Sequence, residues 1–148
     1  MNWKLVVVGG LVFYIVMFII SFVTGPLIHE GILKEPYRAY EEFWRPELNQ
    51  EPPDMAALMP RWIATGLVTS FVMAAIYGWL QPALGKGWLA GAKYGVLLSV
   101  LGALIMAGWS GVFDLPGTIW VWWAIEQPFY YVPAGAVLGW LGERLAPR

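Results

Sequence analysis

Four apolar runs, separated by one long polar segment and two short breaks, set the pattern of the chain. The first is uncharged from residue 5 to residue 23 and is long enough to cross a bilayer unaided. It predicts a helix over 3–33, with Gly25-Pro26 kinking or thinning it where it leaves the bilayer and Glu30 and Lys34 forming an i,i+4 pair. The run outlasts a signal-peptide core, and Ser21-Phe22-Val23-Thr24-Gly25 is a poor cleavage site, so it reads as a retained membrane helix. The second run predicts a helix over 55–80, with Asp54 as its N-cap and Pro60 in its first turn. After a loop at 81–87, the third predicts a helix over 88–112, entered by a Lys93 able to snorkel. Asp114-Leu115-Pro116-Gly117 is a turn by its chemistry, and the fourth run predicts a helix over 118–143. Within the polar segment 34–54, Tyr37, Tyr40 and Phe43 or Trp44 recur at helical spacing between Pro36 and Pro46, opposite Arg38, Glu41 and Glu42. That pattern predicts a short amphipathic interfacial helix, a cap on the bundle end or a lid over a site. The fold class is therefore all-α, a membrane-spanning four-helix bundle with an interfacial helix between helices one and two, in a single domain over 1–148.

Composition narrows the function. Hydrophobic residues make up 59% of the 148 positions and charged residues 13%, about half the usual share, so a soluble fold is excluded. A net charge of −1 gives nucleic-acid binding no electrostatic support. With no Cys and one His, disulfides, thiolate chemistry and multi-His metal or haem sites are excluded within one chain, and no cofactor is implied. The ten Trp fall near the predicted helix ends or in the polar segment, where interfacial anchors belong. Four spans place both ends of the chain and the 81–87 loop on one face, with Lys4, Lys86, Lys93, Arg144 and Arg148. Lys34, Arg38, Arg45 and Arg61 lie on the other. The short loop with only basic charge and the basic tail assign the first face to the cytoplasm of a multi-pass cell-membrane protein.

The polar residues inside the runs converge on the outer half: His29 and Glu30 from helix one, Arg61 from helix two, Glu126, Gln127 and Tyr130 from helix four. An acid at membrane depth is read first as a functional site. Glu126 is open to three roles: ion-pair partner of Arg61, protonatable relay, or ligand contact. Arg61 either clamps an anionic headgroup or is an interfacial Arg satisfied by Glu126 or lipid. His29 with Glu30 is a weak metal signature, and the aromatics near Glu126 either pack or hold a cation. Small residues form two packing stripes, Gly91 and Gly95 on helix three and Gly135 and Gly139 on helix four. At 100° per residue Gly135 lies about 180° around from Glu126. If Glu126 faces the interior, the second stripe faces lipid or another subunit, which points to self-association or docking to a larger membrane complex.

His29-Glu30-Gly31-Ile32-Leu33, Tyr37 and Trp44-Arg45-Pro46-Glu47 resemble a pattern of small bacterial four-helix membrane proteins that have no assigned function. The chain also resembles the small multidrug-resistance exporters in its length, its membrane Glu ringed by Trp and Tyr, and its Gly-rich helices. It departs from them in having no Glu at 5–23, where their essential acid belongs, and in its long 34–55 loop. The leading expectation is a non-enzymatic accessory subunit or a bundle that binds lipid or a small ligand. The alternative is a proton-coupled transporter of a cation or lipophilic amine using Glu126. A membrane enzyme ranks last, because no nucleophile motif or metal-ligand set is present.

Overall fold

The computed structural model describes residues 2–145, and Arg148 of the basic tail lies outside them. Among the described residues the fold is all helical. Helix α1 spans Leu5–Ile32, α2 Lys34–Arg38, α3 Met55–Leu84, α4 Gly87–Trp109 and α5 Gly117–Arg144, with single 3₁₀ turns at Glu41–Phe43 and Pro46–Leu48. Three of these, α1, α3 and α4, are long and apolar enough to cross a membrane. Helix α5 is as long as α1, at 28 residues, but Glu126, Gln127, two Pro and its Trp and Tyr make it less apolar.

Two turns depart from the sequence expectation for local reasons. Helix α3 runs through Gln81-Pro82 to Leu84, and the reversal falls at Gly85 and Gly87, whose φ values of 101° and 73° favour glycine. The polar segment forms no continuous amphipathic helix. The chain breaks at Tyr40, with φ −128° and ψ 39°, because Trp44 turns back to donate its indole N–H to the Tyr37 carbonyl at 2.9 Å. Asp54 caps α3 as expected, accepting from the Ala57 amide at 3.1 Å.

Helices α1 and α5 run antiparallel. Asn2 caps the start of α1 and donates to the Leu145 carbonyl at 2.9 Å at one end, and His29 meets Glu126 at the other. The inner cluster draws Leu5 and Phe13 from α1, Ala74 and Tyr77 from α3, Tyr94 from α4, and Ala134 and Leu138 from α5. The outer cluster, Ile28, Leu33, Leu115 and Ile119 with Tyr37, Trp44, Trp120, Trp122 and Trp123, contains no α3 residue. The outer half of α3 is anchored instead by the buried Leu58 and by the Asp54 amide donating to the Glu47 carbonyl at 2.8 Å. An open apolar groove along Ala56, Met59, Ile63 and Leu67 remains on that half of α3.

The closest seam joins α4 to α5. A Cβ on Gly139 would stand 2.6 Å from the Gly91 amide nitrogen, and one on Gly91 would collide with the Gly135 carbonyl. Gly95 abuts Tyr131 and Gly135 in the same way. This corrects the expectation that the Gly135/Gly139 stripe meets lipid or another subunit. It does lie opposite the Glu126 face, but the neighbour there is α4, because the short connection over residues 110–116 returns α5 antiparallel to α4 with the two small stripes in register.

Replacing Gly91 by Leu should therefore lower stability by at least about 2–3 kcal/mol, since backbone rather than a movable side chain blocks the new group. Leu at Gly108, whose Cβ position meets nothing within 4 Å, should be near neutral. Unfolding titrations in detergent distinguish these outcomes, and equal stability of both variants would contradict the seam.

Candidate functional site

The site forms at the second of two stretches, Leu5–Gly9 and Gly25–Ile32, where α1 leaves regular α geometry. From Gly25 to Ile32 the helix is π-type, closed by i→i+5 hydrogen bonds such as the Leu33 amide to the Ile28 carbonyl at 2.8 Å. In an α-helix, residues five apart sit about 140° around from each other, whereas a wider π turn brings them much closer in angle. Thr24 and His29 thus share one face and both reach α5.

Glu126 is buried there, its side chain 6% exposed. Oε2 is 3.1 Å from His29 Nε2, and Oε1 accepts from the Tyr130 hydroxyl at 2.7 Å. The Tyr130 oxygen is 2.7 Å from Thr24 Oγ1. On the far side of the imidazole, His29 Nδ1 is 2.7 Å from the Tyr37 hydroxyl, which accepts from Trp123 Nε1 at 2.8 Å. Donor bookkeeping orients the chain. An indole N–H only donates, so Tyr37 accepts from Trp123, which leaves its own O–H free to donate to His29 Nδ1. With Tyr37 donating to Nδ1, His29 Nε2–H donates to Glu126 Oε2. Thr24 donates to Tyr130, whose own proton goes to the carboxylate. Two donor chains end on the two oxygens of one acid, and each group has a partner.

Tyr37 arrives from α2 and stacks on His29, 11° from parallel with centroids 5.9 Å apart. Burial pushes its phenol up to about 12; the Trp123 N–H opposes that rise and the Glu126 charge adds to it. His29 is the network's opening to the outside, with a third of its side chain exposed. The arrangement can hold an ionised acid without a metal or an Arg, and can pass a proton between His29 and Glu126. Among the described residues it has no hydroxyl nucleophile beside the imidazole other than the Tyr37 phenol.

No protein-family model, curated protein or solved structure matches this chain.

The structure brings together Glu126, His29 and Tyr130 and leaves the other sequence candidates outside. Arg61 is exposed on α3, and among the described residues no ion pair joins it to Glu126. The expected Arg61–Glu126 pair fails because α3 stands away from α5 at this level. Glu30 is exposed, one residue past the face that His29 occupies. Gln127 turns toward α4, donating to the Trp123 carbonyl at 3.0 Å and lying against Gly102. Thr24, Tyr37 and Trp123 were not anticipated. Trp123 was within reach of the sequence, three residues before Glu126. Thr24 was hidden by the 100° rule, and Tyr37 by the fold of the cap.

Tyr37→Phe should cost about 1–3 kcal/mol, because His29 Nδ1 and Trp123 Nε1 both lose their partner. The wild type should also weaken in alkali. Below pH 10 the phenol is protonated in folded and unfolded chains alike. Between pH 10 and 12 the unfolded chain loses its proton first, so stability falls across that window. Near-UV circular dichroism of wild type against the Phe variant reads this out: the wild type should lose aromatic signal through that window more steeply.

Proposed function

We propose that this chain is a small, non-enzymatic, multi-pass membrane protein: a four-helix bundle, with α5 as fourth span, that serves as an accessory subunit or lipid-binding element. In this reading the Glu126 cluster is a latch that holds the outer ends of α1, α5 and the cap together. The observation carrying the reading is that both oxygens of the buried Glu126 are closed by donors from the same chain, which leaves the apolar exterior as the working surface.

That exterior supports the membrane assignment. Val7, Leu11, Ile15, Ile19 and Val23 expose an i+4 stripe along α1, and Val96, Val100 and Leu104 do so along α4. Lipid is the natural solvent for such faces. Trp88 and Trp109 bracket α4 about 31 Å apart at 1.5 Å per residue, close to a hydrocarbon thickness of roughly 30 Å. Trp3, Trp79 and Trp140 are exposed at the same end as Trp88, and Arg144 lies 4.1 Å over the Trp140 ring. Lys4, Lys86, Lys93 and Arg144 support assigning that end to the cytoplasm.

A proton-coupled transporter of a cation or lipophilic amine is the second reading. The unbroken hydrogen-bond chain from the partly exposed His29 to the buried Glu126 favours it.

The two readings separate on Glu126→Gln. A latch predicts a loss of about 1–3 kcal/mol, because the new amide N–H₂ faces a donor, while Arg61→Ala stays within about 0.5 kcal/mol of wild type. A transporter predicts wild-type stability but loss of uptake driven by a pH gradient in proteoliposomes. Retained stability in Glu126→Gln would reject the latch.

A further inference from the structure

A second concavity, which shares Trp123 with the Glu126 network, opens at the same end of the molecule. It has a volume of about 190 Å³ and is lined by Phe43 from the cap, Met106 and Trp109 from α4, Phe113 from the turn, and Trp120 and Trp123 from α5. That is roughly six water volumes, room for a small organic group rather than a bare ion. The rings stand at different angles. Trp109 stacks on Phe113 at 5.4 Å, Phe43 meets Phe113 edge-on at 5.5 Å, and Trp120 meets Trp123 edge-on at 5.4 Å.

Two further observations say what such a box would take. The Trp120 indole N–H is buried and has no acceptor among the described residues. A buried donor left in that state costs about 1–3 kcal/mol, which an incoming oxygen would recover. The charge around the box is also one-sided. Among the described residues no basic one lines it. In the cap segment Arg38 reaches Glu51 at 2.6 Å and Arg45 reaches Glu47 at 2.8 Å. Glu41 and Glu42, which precede Phe43, and Asp114, which follows Phe113, are exposed and have no cationic partner among the described residues. Aromatic faces attract weakly hydrated cations, and an acidic rim raises their local concentration. A metal ion or primary ammonium would find almost no oxygen ligands here to replace its water.

We infer that this aromatic box binds a quaternary ammonium group carrying a nearby oxygen, the chemistry of choline, either free or as a lipid headgroup. The methyl groups sit among the rings and the oxygen accepts from Trp120. Trp123 also belongs to the latch through Tyr37, so Phe113 and Trp120 are the residues that test the box alone.

The test uses the full chain in phosphatidylglycerol nanodiscs, with equilibrium binding of choline, tetramethylammonium and the neutral isostere 3,3-dimethylbutan-1-ol. Choline should bind saturably, with the isostere roughly tenfold weaker. Phe113→Leu should weaken both cations severalfold, and Trp120→Phe should weaken choline more than tetramethylammonium. In phosphatidylcholine nanodiscs, weakened choline binding assigns the site to a lipid headgroup, and unchanged binding assigns it to a free ligand. Equal affinity for choline and its isostere, or no saturable choline binding in phosphatidylglycerol, overturns the inference even if the variants fail to fold. Neither result bears on the latch, whose readout is stability.

Discussion

A carboxylate inside an apolar helix bundle is costly to bury unless donors meet its oxygens. Much of the outer half of this molecule is arranged to meet that demand at Glu126. The π-type turn at Gly25–Ile32 swings His29 toward the face that Thr24 occupies. The break at Tyr40 lets the cap fold back so that Tyr37 closes on His29 and Trp123. Tyr130, one turn along α5, takes the second oxygen. The same acid that makes α5 less apolar than the other long helices thus binds it to α1.

The inner half is held by a different principle. There α4 and α5 approach until backbone meets backbone, because Gly91 and Gly95 face Gly135 and Gly139. Dispersion over a flat seam replaces hydrogen bonds between side chains. Helix α5 therefore presents two opposed faces, a polar one to α1 and a glycine one to α4. Helix α3 joins only the inner cluster, which leaves its outer face with Arg61 exposed.

The long helices and their order were legible from the apolar runs, because twenty uncharged residues leave few alternatives to a helix. The opposition of Glu126 and the glycine stripe also followed from 100° per residue. What could not be read was the identity of each neighbour. Arg61 was the natural partner for Glu126 on charge alone, but the spacing between α3 and α5 is set by packing far along the chain. Thr24 was invisible because the π turn breaks the angular rule. Of the ten Trp, all expected as interface anchors, Trp44, Trp120, Trp122 and Trp123 are drawn into the aromatic cap.

The central claim is that Glu126 and His29 act on each other directly to lock α5 to α1. A double-mutant cycle over His29→Ala and Glu126→Gln, with unfolding free energies measured in one detergent, tests it most directly. The account predicts a coupling energy of about 1–3 kcal/mol between the two positions. Additivity within about 0.3 kcal/mol would contradict it.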